Sequence, residues 1–331
     1  ALDAANATGG AAENYNIAIG SSALTSETSG ADYCIAIGHN ALLNQNADVK
    51  NTAIGGLAGD SITTSDGNTL VGYLAGATLD TSGNGQQNVA VGHAAMNASK
   101  GSQNVAIGYG ALDAGGIANY NVCIGHSAGT DLDDGPGNVL IGRQAGAAMT
   151  TGDYNVAIGF QAADALAGDS DHNIAIGASA LGTEDLGSQN IAIGGNALAV
   201  QNTHTSVNLA IGYSAGIAIT SGTQNVLIGH EAGSTLAATG TNLGDNCTAV
   251  GYNALKLATG SNNTVVGAAA LDEITTGHRN TVVGQGAMSD ADTDESYNTA
   301  IGNAALSKLD HVNADKNTAV GHLAGSYYET T

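Results

Sequence analysis

The sequence predicts an all-β repeat fold, a β-solenoid of about 18 coils with 17–18 residues each, which runs through residues 1–331 as a single continuous array. Two observations predict it. One short phrase recurs from the first part of the chain to the last. The composition also suits a narrow core, because 43% of the residues are hydrophobic while 49 are Gly, one is Phe and none is Trp. Small and β-branched residues fill thin β interiors without aromatic rings.

The recurring phrase is N-x-A-I-G-x-x-A-L, and its glycine is here called the anchor, position 0 of each coil. Seventeen intervals span the 301 residues from Gly20 to Gly321, so the mean period is about 17.7 residues. The anchors are Gly20, Gly38, Gly55, Gly72, Gly92, Gly108, Gly125, Gly142, Gly159, Gly177, Gly194, Gly212, Gly229, Gly251, Gly267, Gly284, Gly302 and Gly321.

Residues before the anchor alternate as in a strand. Position −1 is Ile or Val in all 18 coils, and position −3 is Ile, Val, Leu or Thr. Alternation puts these two columns on one face, which we expect to point inward. Position −2 is mostly Ala, which predicts a narrow second face, and position −4 is Asn in 16 coils, with Cys34 and Cys247 as exceptions. Asn repeated in register predicts an amide ladder.

Residues after the anchor predict a corner followed by a short second strand. Position +3 is Ala in every coil, and position +4 is Leu or Met in ten coils, Gly in seven and Ala163 in the last. The anchor itself suits a corner with positive φ or a close approach of two backbones. Length changes fall in the polar remainder of each coil, as insertions in solenoids do.

The repeat resembles the YadA-like head repeats of trimeric autotransporter adhesins and the related repeats of phage tail fibres. The likeness is carried by segments such as Asn16-Ile17-Ala18-Ile19-Gly20-Ser21-Ser22-Ala23 and covers nearly the whole chain. It implies a left-handed parallel β-roll, three chains wrapped about one axis, and an adhesive surface. The period here is longer than in those head repeats, because each coil carries extra loop.

A second resemblance leaves an enzyme as an alternative. Ile19-Gly20-Ser21-Ser22-Ala23-Leu24 matches the hexapeptide repeat of left-handed β-helix acyltransferases, although only one hexad per coil does so. No catalytic pair, nucleophile motif or phosphate loop stands apart from the repeat, so we expect no enzyme and no cofactor. An ice-binding solenoid is a further alternative, but Thr occupies position −3 in only seven coils, in a column that we expect to face inward.

Charge limits the partners. Seven Lys and Arg stand against 29 Asp and Glu, a formal net charge of −22, which disfavours nucleic acid and anionic membranes. No apolar stretch is long enough to insert in a membrane as a helix. The chain begins within a coil, at Ala1, which suggests a segment of a longer fibre or a subunit that stacks head to tail.

Bulky residues at position +1 predict an interaction surface, which we call the stripe. Stacked in register they would form a row of aromatic and imidazole rings, suited either to adhesion or to shielding and packing of the coil edges. The stripe comprises His39, Tyr73, His93, Tyr109, His126, Phe160, Tyr213, His230, Tyr252 and His322. Five Tyr form a similar column at position −5: Tyr15, Tyr33, Tyr120, Tyr154 and Tyr297.

Metal ligands and disulfides have little support in the sequence. The five stripe histidines lie in non-adjacent coils, so they predict no zinc site. Alternating carboxylates make Asp290, Asp292 and Asp294 candidate calcium ligands, with a solvated acidic loop as the alternative. Cys34, Cys123 and Cys247 are too far apart in the array to pair within one chain, and we expect buried thiols.

The sequence therefore predicts a non-enzymatic structural and adhesive fibre of the phage tail-fibre or cell-surface adhesin type. We expect it outside the cell, on the cell surface or on a virion. Its expected partners are further copies of itself, as a homotrimer, and a glycan or protein receptor. The alternative is a subunit that polymerises end to end into an extracellular filament.

Overall fold

The computed structural model describes residues 15–26, 33–46, 49–79, 85–114, 116–166, 168, 170–183, 187–201, 207–236, 244–291, 294–309 and 314–326. Over these residues the protein is an all-β solenoid of parallel strands and turns without a helix, which confirms the predicted fold class. No helix that could cross a bilayer occurs in this part of the chain. The chain divides into two compact units, Ala1–Asp169 and Ser170–Thr331.

The first unit contains nine three-residue strands in its described residues, and each strand ends directly before an anchor glycine. Consecutive strands pair in parallel and in register, so Ile17 stands opposite Ile35 and Val139 opposite Val156. The strands are β1 (Ile17–Ile19), β2 (Ile35–Ile37), β3 (Thr52–Ile54), β4 (Thr69–Val71), β5 (Val89–Val91), β6 (Val105–Ile107), β7 (Val122–Ile124), β8 (Val139–Ile141) and β9 (Val156–Ile158).

The second unit repeats this arrangement with nine further strands among its described residues. Ile174 stands opposite Ile191 and Thr299 opposite Thr318, again in parallel register. The strands are β10 (Ile174–Ile176), β11 (Ile191–Ile193), β12 (Leu209–Ile211), β13 (Val226–Ile228), β14 (Thr248–Val250), β15 (Thr264–Val266), β16 (Thr281–Val283), β17 (Thr299–Ile301) and β18 (Thr318–Val320).

The inward face of each strand is the opposite of the predicted one. The middle residue of the strand, position −2, is buried from β2 to β18, whereas positions −3 and −1 are half-buried or exposed. The expectation that the Ile and Val columns point inward was therefore wrong. The physical reason is space: the interior between a strand and its turn is narrow, so the buried column is Ala at most coils, with Val265 and Val282 as β-branched exceptions, and the larger Ile and Val columns lie outside.

The residues after the anchor form turns, so the predicted second strand is also wrong. Positions +2 and +4 have left-handed backbone conformations, such as φ 58° at Asn40 and φ 50° at Leu42. Strands do not accommodate such angles. The turn nevertheless joins the ladder of main-chain bonds between coils, because the N–H of Leu42 donates to the carbonyl of Ala58 at 3.0 Å.

The core is filled from two positions of the turn, of which the second was not predicted. Where position +4 is Leu or Met, that side chain is buried beside the Ala of position +3. In six coils with Gly at position +4 a large buried residue stands at position +7, as Ile62, Leu79, Leu132, Met149, Ile219 and Leu236 do, and Ile274 and Leu309 are buried there in addition to a Leu at position +4. The coupling of Gly at +4 with a large aliphatic residue three positions later was visible in the sequence.

Candidate interaction surfaces

An apolar face lies outward along the strands of each unit. It consists of the side chains at positions −3 and −1, which alternate with the buried middle residue. From β5 to β9 both columns hold only Val and Ile, and neither column contains a charged residue anywhere in the chain. The side chains are half-buried in their own sheet, and some, such as Ile107 at 38%, are exposed. Contiguous apolar surface of this kind is typical of interaction sites.

The structure brings four stripe residues of the first unit into one row, and three of them stack. The rings of Tyr73 and His93 are tilted by 40° with centroids 5.4 Å apart, whereas those of His93 and Tyr109 are stacked, 5.1 Å apart with an angle of 12° between the planes. Tyr109 and His126 follow at 5.1 Å and 18°. In-register coils place the rings one strand spacing apart, about 4.8 Å, which is the distance at which rings stack.

A second stack lies in the other unit. Tyr213 and His230 are 5.4 Å apart, and His230 and Tyr252 are also 5.4 Å apart. Phe160 is instead covered by the guanidinium of Arg143, whose Cζ is 5.4 Å from the ring centroid, a cation–π contact. His39 and His322 are exposed, but their column neighbours Ser21, Gly56 and Asn303 carry no rings.

The stacking decides what the stripe offers to a ligand. Within each stack the ring faces are turned towards neighbouring rings, although Tyr109 remains 55% exposed. The exposed parts of the stacked rings are therefore their edges, which carry the phenol hydroxyls of Tyr and the imidazole nitrogens of His. The stripe is a row of hydrogen-bond donors and acceptors repeated about every 5 Å, and the flat ring faces that sugars stack on are largely occupied.

The predicted Asn ladder is present in the described coils. The Oδ1 atom of Asn138 accepts a hydrogen bond from the main-chain N–H of Asn155 at 2.8 Å, and its Nδ2 donates to the carbonyl of Gly152 at 2.8 Å. The same Oδ1-to-N–H bond links Asn51 to Asn68. Asn therefore bonds mainly to backbone, and each buried side chain ties its coil to the next.

A second polar ladder at position −6 was missed. The hydroxyl of Ser102 accepts the N–H of Gln86, and the carboxylate of Asp245 accepts the N–H of Thr223 at 2.8 Å. Asp315 does the same for Ser296. Short oxygen-bearing side chains recur in this column at a fixed distance from the anchor, which was a signal in the sequence.

The candidate calcium residues do not assemble into a ligand cluster in the described part of the chain. Asp290 accepts a hydrogen bond from the hydroxyl of Ser289 at 3.2 Å, and the carbonyl of Asp294 accepts one from Ser296. Asp292 lies outside the described residues. No group of three His, Cys, Asp or Glu side chains that could hold a metal ion occurs among the residues that are described.

The three cysteines are buried free thiols, as predicted. Burial raises the pKa of the Cys123 thiol to about 12 and that of Cys247 to about 11, because the interior disfavours a thiolate. The sulfur of Cys34 is 2.8 Å from both the carbonyl of Val49 and the Nε2 of Gln45. The thiols of Cys123 and Cys247 are therefore protonated at neutral pH.

The protein is thus a β-solenoid whose strands present apolar side chains outward at positions −3 and −1 and whose turns present aromatic and imidazole rings at position +1. Comparison with known proteins finds no family model that matches the chain, and no curated protein matches its sequence.

Proposed function

We propose that this protein is a non-enzymatic structural and adhesive fibre protein that associates with further copies of itself, most simply as a homotrimer. The proposal extends to a place outside the cell, on a cell surface or on a virion. The observation that carries it is the outward face of β5–β9, where every coil presents one Val and one Ile or Val. Contact that buries this face would stabilise the assembly by about 25 cal/mol for each Å² of apolar surface removed from water.

A second copy of the chain suits this face better than an unrelated protein. The side chains repeat at the strand spacing of about 4.8 Å, so only a partner with the same rise matches it coil for coil. A net charge of −22 opposes association, but the strand columns contain no charged side chain that contact would desolvate. Parallel copies therefore satisfy both the period and the chemistry of the face.

The adhesive part of the proposal rests on the stripe. Its stacked rings present hydroxyl and imidazole edges in a rigid row, which suits a glycan rich in hydroxyl groups. The negative charge of the chain favours neutral or cationic glycans over sialylated or sulfated ones. Rigid aromatic side chains lose little entropy on binding, which favours their use at interfaces.

Light scattering and negative-stain imaging of the full chain test the self-association. Rods with three times the chain mass are expected. A single-chain mass at every concentration would contradict self-association, and filaments of indefinite length would favour the end-to-end polymer over the trimer.

A charge in the apolar face tests which surface is used. Ile124→Lys places an ammonium group in the outward column of β7 and should shift the mass towards the single chain. Asp134→Asn is the matched control, because it changes the net charge by the same +1 at an exposed turn position. Equal masses for both variants, with unchanged circular dichroism, would assign the association to another surface.

An array of immobilised glycans tests adhesion. The protein should bind neutral glycans, and the double variant His93→Ala/Tyr109→Ala should lose this binding, whereas Gln103→Ala in the neighbouring exposed column should keep it. Binding that survives the double variant would show that the stripe serves to pack or shield the coils. Absence of glycan binding by the unmodified protein would leave a protein receptor as the candidate.

A further inference from the structure

Five consecutive coils of the second unit carry an unbroken row of threonines on their outward face. From β14 to β18 the first residue of every strand is Thr and the third is Val or Ile. The pairing is in register, so Thr248 stands opposite Thr264, Thr264 opposite Thr281, Thr281 opposite Thr299 and Thr299 opposite Thr318. We call these two columns the threonine face.

The threonine face is open to solvent, contrary to the expected inward orientation. Thr264, Thr281 and Thr318 are exposed, and the middle residues of their strands are buried. In the parallel column Val266 is 39% exposed and Val320 67%. An inward orientation of this column and the low frequency of Thr in it were the two features that counted against ice binding. The column in fact faces outward, and five of its seven threonines lie in consecutive coils.

The in-register pairing arranges the side chains of the face as a two-dimensional array. Neighbouring strands are about 4.8 Å apart, and the first and third residues of one strand are about 6.6 Å apart. Both repeats are close to distances between oxygen atoms on the surface of hexagonal ice. Thr and Val are β-branched and stiff at χ1, so the methyl and hydroxyl groups are held in fixed positions before any ligand arrives.

The surroundings of the face favour water over other occupants. Neither column contains a charge, and the stripe position beside β15, β16 and β17 holds Ala268, Gln285 and Asn303 in place of stacked rings. A second protein copy would have to desolvate one hydroxyl per coil, which costs free energy unless each finds a partner. In the lattice of ice each hydroxyl can both donate to and accept from water.

We propose that the threonine face of β14–β18 binds the surface of ice crystals. The hydroxyls occupy positions in the water lattice, and the methyl groups between them order the intervening water. This site is distinct from the Val and Ile face of β5–β9 that we assign to self-association, so either function can hold without the other.

Thermal hysteresis and partition of the full chain into a slowly growing ice hemisphere test the proposal. The unmodified protein should enrich in ice and shape ice crystals. Thr281→Lys, in the central strand of the face, should reduce hysteresis at equal concentration by roughly tenfold. Thr69→Lys is the matched control, since Thr69 is likewise the first residue of its strand, β4. Its threonine row contains only β3 and β4, because β2 begins with Ile and β5 with Val.

Hysteresis that is lost in Thr281→Lys but kept in Thr69→Lys, with equal melting temperatures and equal masses, supports the threonine face. Exclusion of the unmodified protein from ice, or an equal loss in both variants, overturns it. Because mass is measured on the same samples, ice binding by a single chain would support this site while contradicting the self-association.

Discussion

The anchor glycines lie where the backbones of neighbouring coils come closest. At Gly142 φ is +139°, and an added Cβ would be 2.3 Å from the carbonyl oxygen of Gly159. Such φ values are nearly restricted to glycine, and the clash is with backbone that cannot move aside. The anchor was predicted to have either a positive φ or a close approach of two backbones, and at Gly142 both are present.

Gly142→Ala should therefore destabilise the first unit strongly, by about 3 kcal/mol or more. The control is Gly110→Ala, where φ is +57° and the nearest atom to an added Cβ is the Ser127 hydroxyl at 4.0 Å. That variant should cost about 1 kcal/mol, since only the left-handed conformation is penalised. Urea unfolding measures both, and equal midpoints would contradict the close approach.

Asp272 is a carboxylate that opposes folding at neutral pH. Burial raises its pKa above the ordinary value, and the nearby charges of Glu273 and Asp290 act in the same direction. Its Oδ1 atom has no hydrogen-bond partner among the described residues. Because the folded-state pKa exceeds the unfolded one, the folded protein gains relative stability as the pH falls through the raised value.

Asp272→Asn should raise the melting temperature at pH 7 by about 1–3 °C, because the variant has no charge to bury. The advantage should shrink as the pH falls through the raised pKa of Asp272, where the carboxylate of the unmodified protein is protonated. Scanning calorimetry from neutral to acidic pH measures this difference. Asp131→Asn, at an exposed turn position, is the control for the removal of one negative charge.

At the scale of one coil, the Asn ladder satisfies buried backbone groups that no strand partner reaches. Asn138→Ala would leave the N–H of Asn155 and the carbonyl of Gly152 without the bonds that they now make. Each unsatisfied buried group costs about 1–3 kcal/mol, so a loss of about 2–4 kcal/mol is expected. Asn44→Ala, which removes an exposed bond to the Asp60 carbonyl, should cost less than about 0.5 kcal/mol in the same urea titration.

Core volume is balanced between the strand and the turn of neighbouring coils. Leu140 replaces Ala at the buried position of β8, and it lies beside Gly129 and Gly146, where an added Cβ would come within 2.9 Å of its methyl groups. Leu70 and Leu227 are each flanked by two glycines in the same way. Leu at position −2 thus requires Gly at +4 in its own coil and in the preceding one.

Double substitution tests this balance. Gly146→Ala alone should cost about 1–3 kcal/mol by overpacking, and Leu140→Ala alone about 2–5 kcal/mol by leaving a cavity. Together they should cost less than the sum by at least about 0.5 kcal/mol, because the added methyl enters the vacated space. Gly146→Ala combined with the distant Leu70→Ala should be additive, and additivity in both pairs would contradict direct contact.

At the scale of the whole molecule, charge opposes compactness. The 29 acidic residues against seven basic ones give a net charge of −22. Repulsion among exposed charges reaches about 30 Å at 0.01 M salt and about 8 Å at 0.15 M. Screening should therefore stabilise both the folded chain and its assembly.

Raising NaCl from about 0.01 M to about 0.15 M should increase the melting temperature by a few degrees. KCl at equal ionic strength should give the same increase, since screening depends on ionic strength and not on the cation. Light scattering over the same range should show a rising mass. A melting temperature that is independent of salt would show that the charges are too well separated to repel.

Sequence periodicity was sufficient to predict most of the repeat unit. The recurrence of Asn, Ala and Gly at fixed offsets predicted parallel in-register coils, the Asn ladder and the special backbone of the anchor. It also predicted that stripe residues such as Tyr109 and His126 would stack. Each of these follows from spacing along the chain, because in-register coils place equal offsets above one another.

Only the tertiary structure decided which side of the strand is the interior. Both alternating sets are apolar, Ala on one side and Ile or Val on the other, so period-two alternation cannot distinguish them. The narrow space between strand and turn makes the choice, because it admits Ala at most coils, Leu where glycines make room and Val at Val265 and Val282, but not a continuous column of Ile and Val. The sequence by itself determined the repeat, its register and its ladders. The fold turned Ile124 and Thr281 outward, and with them the surfaces on which the proposed functions depend.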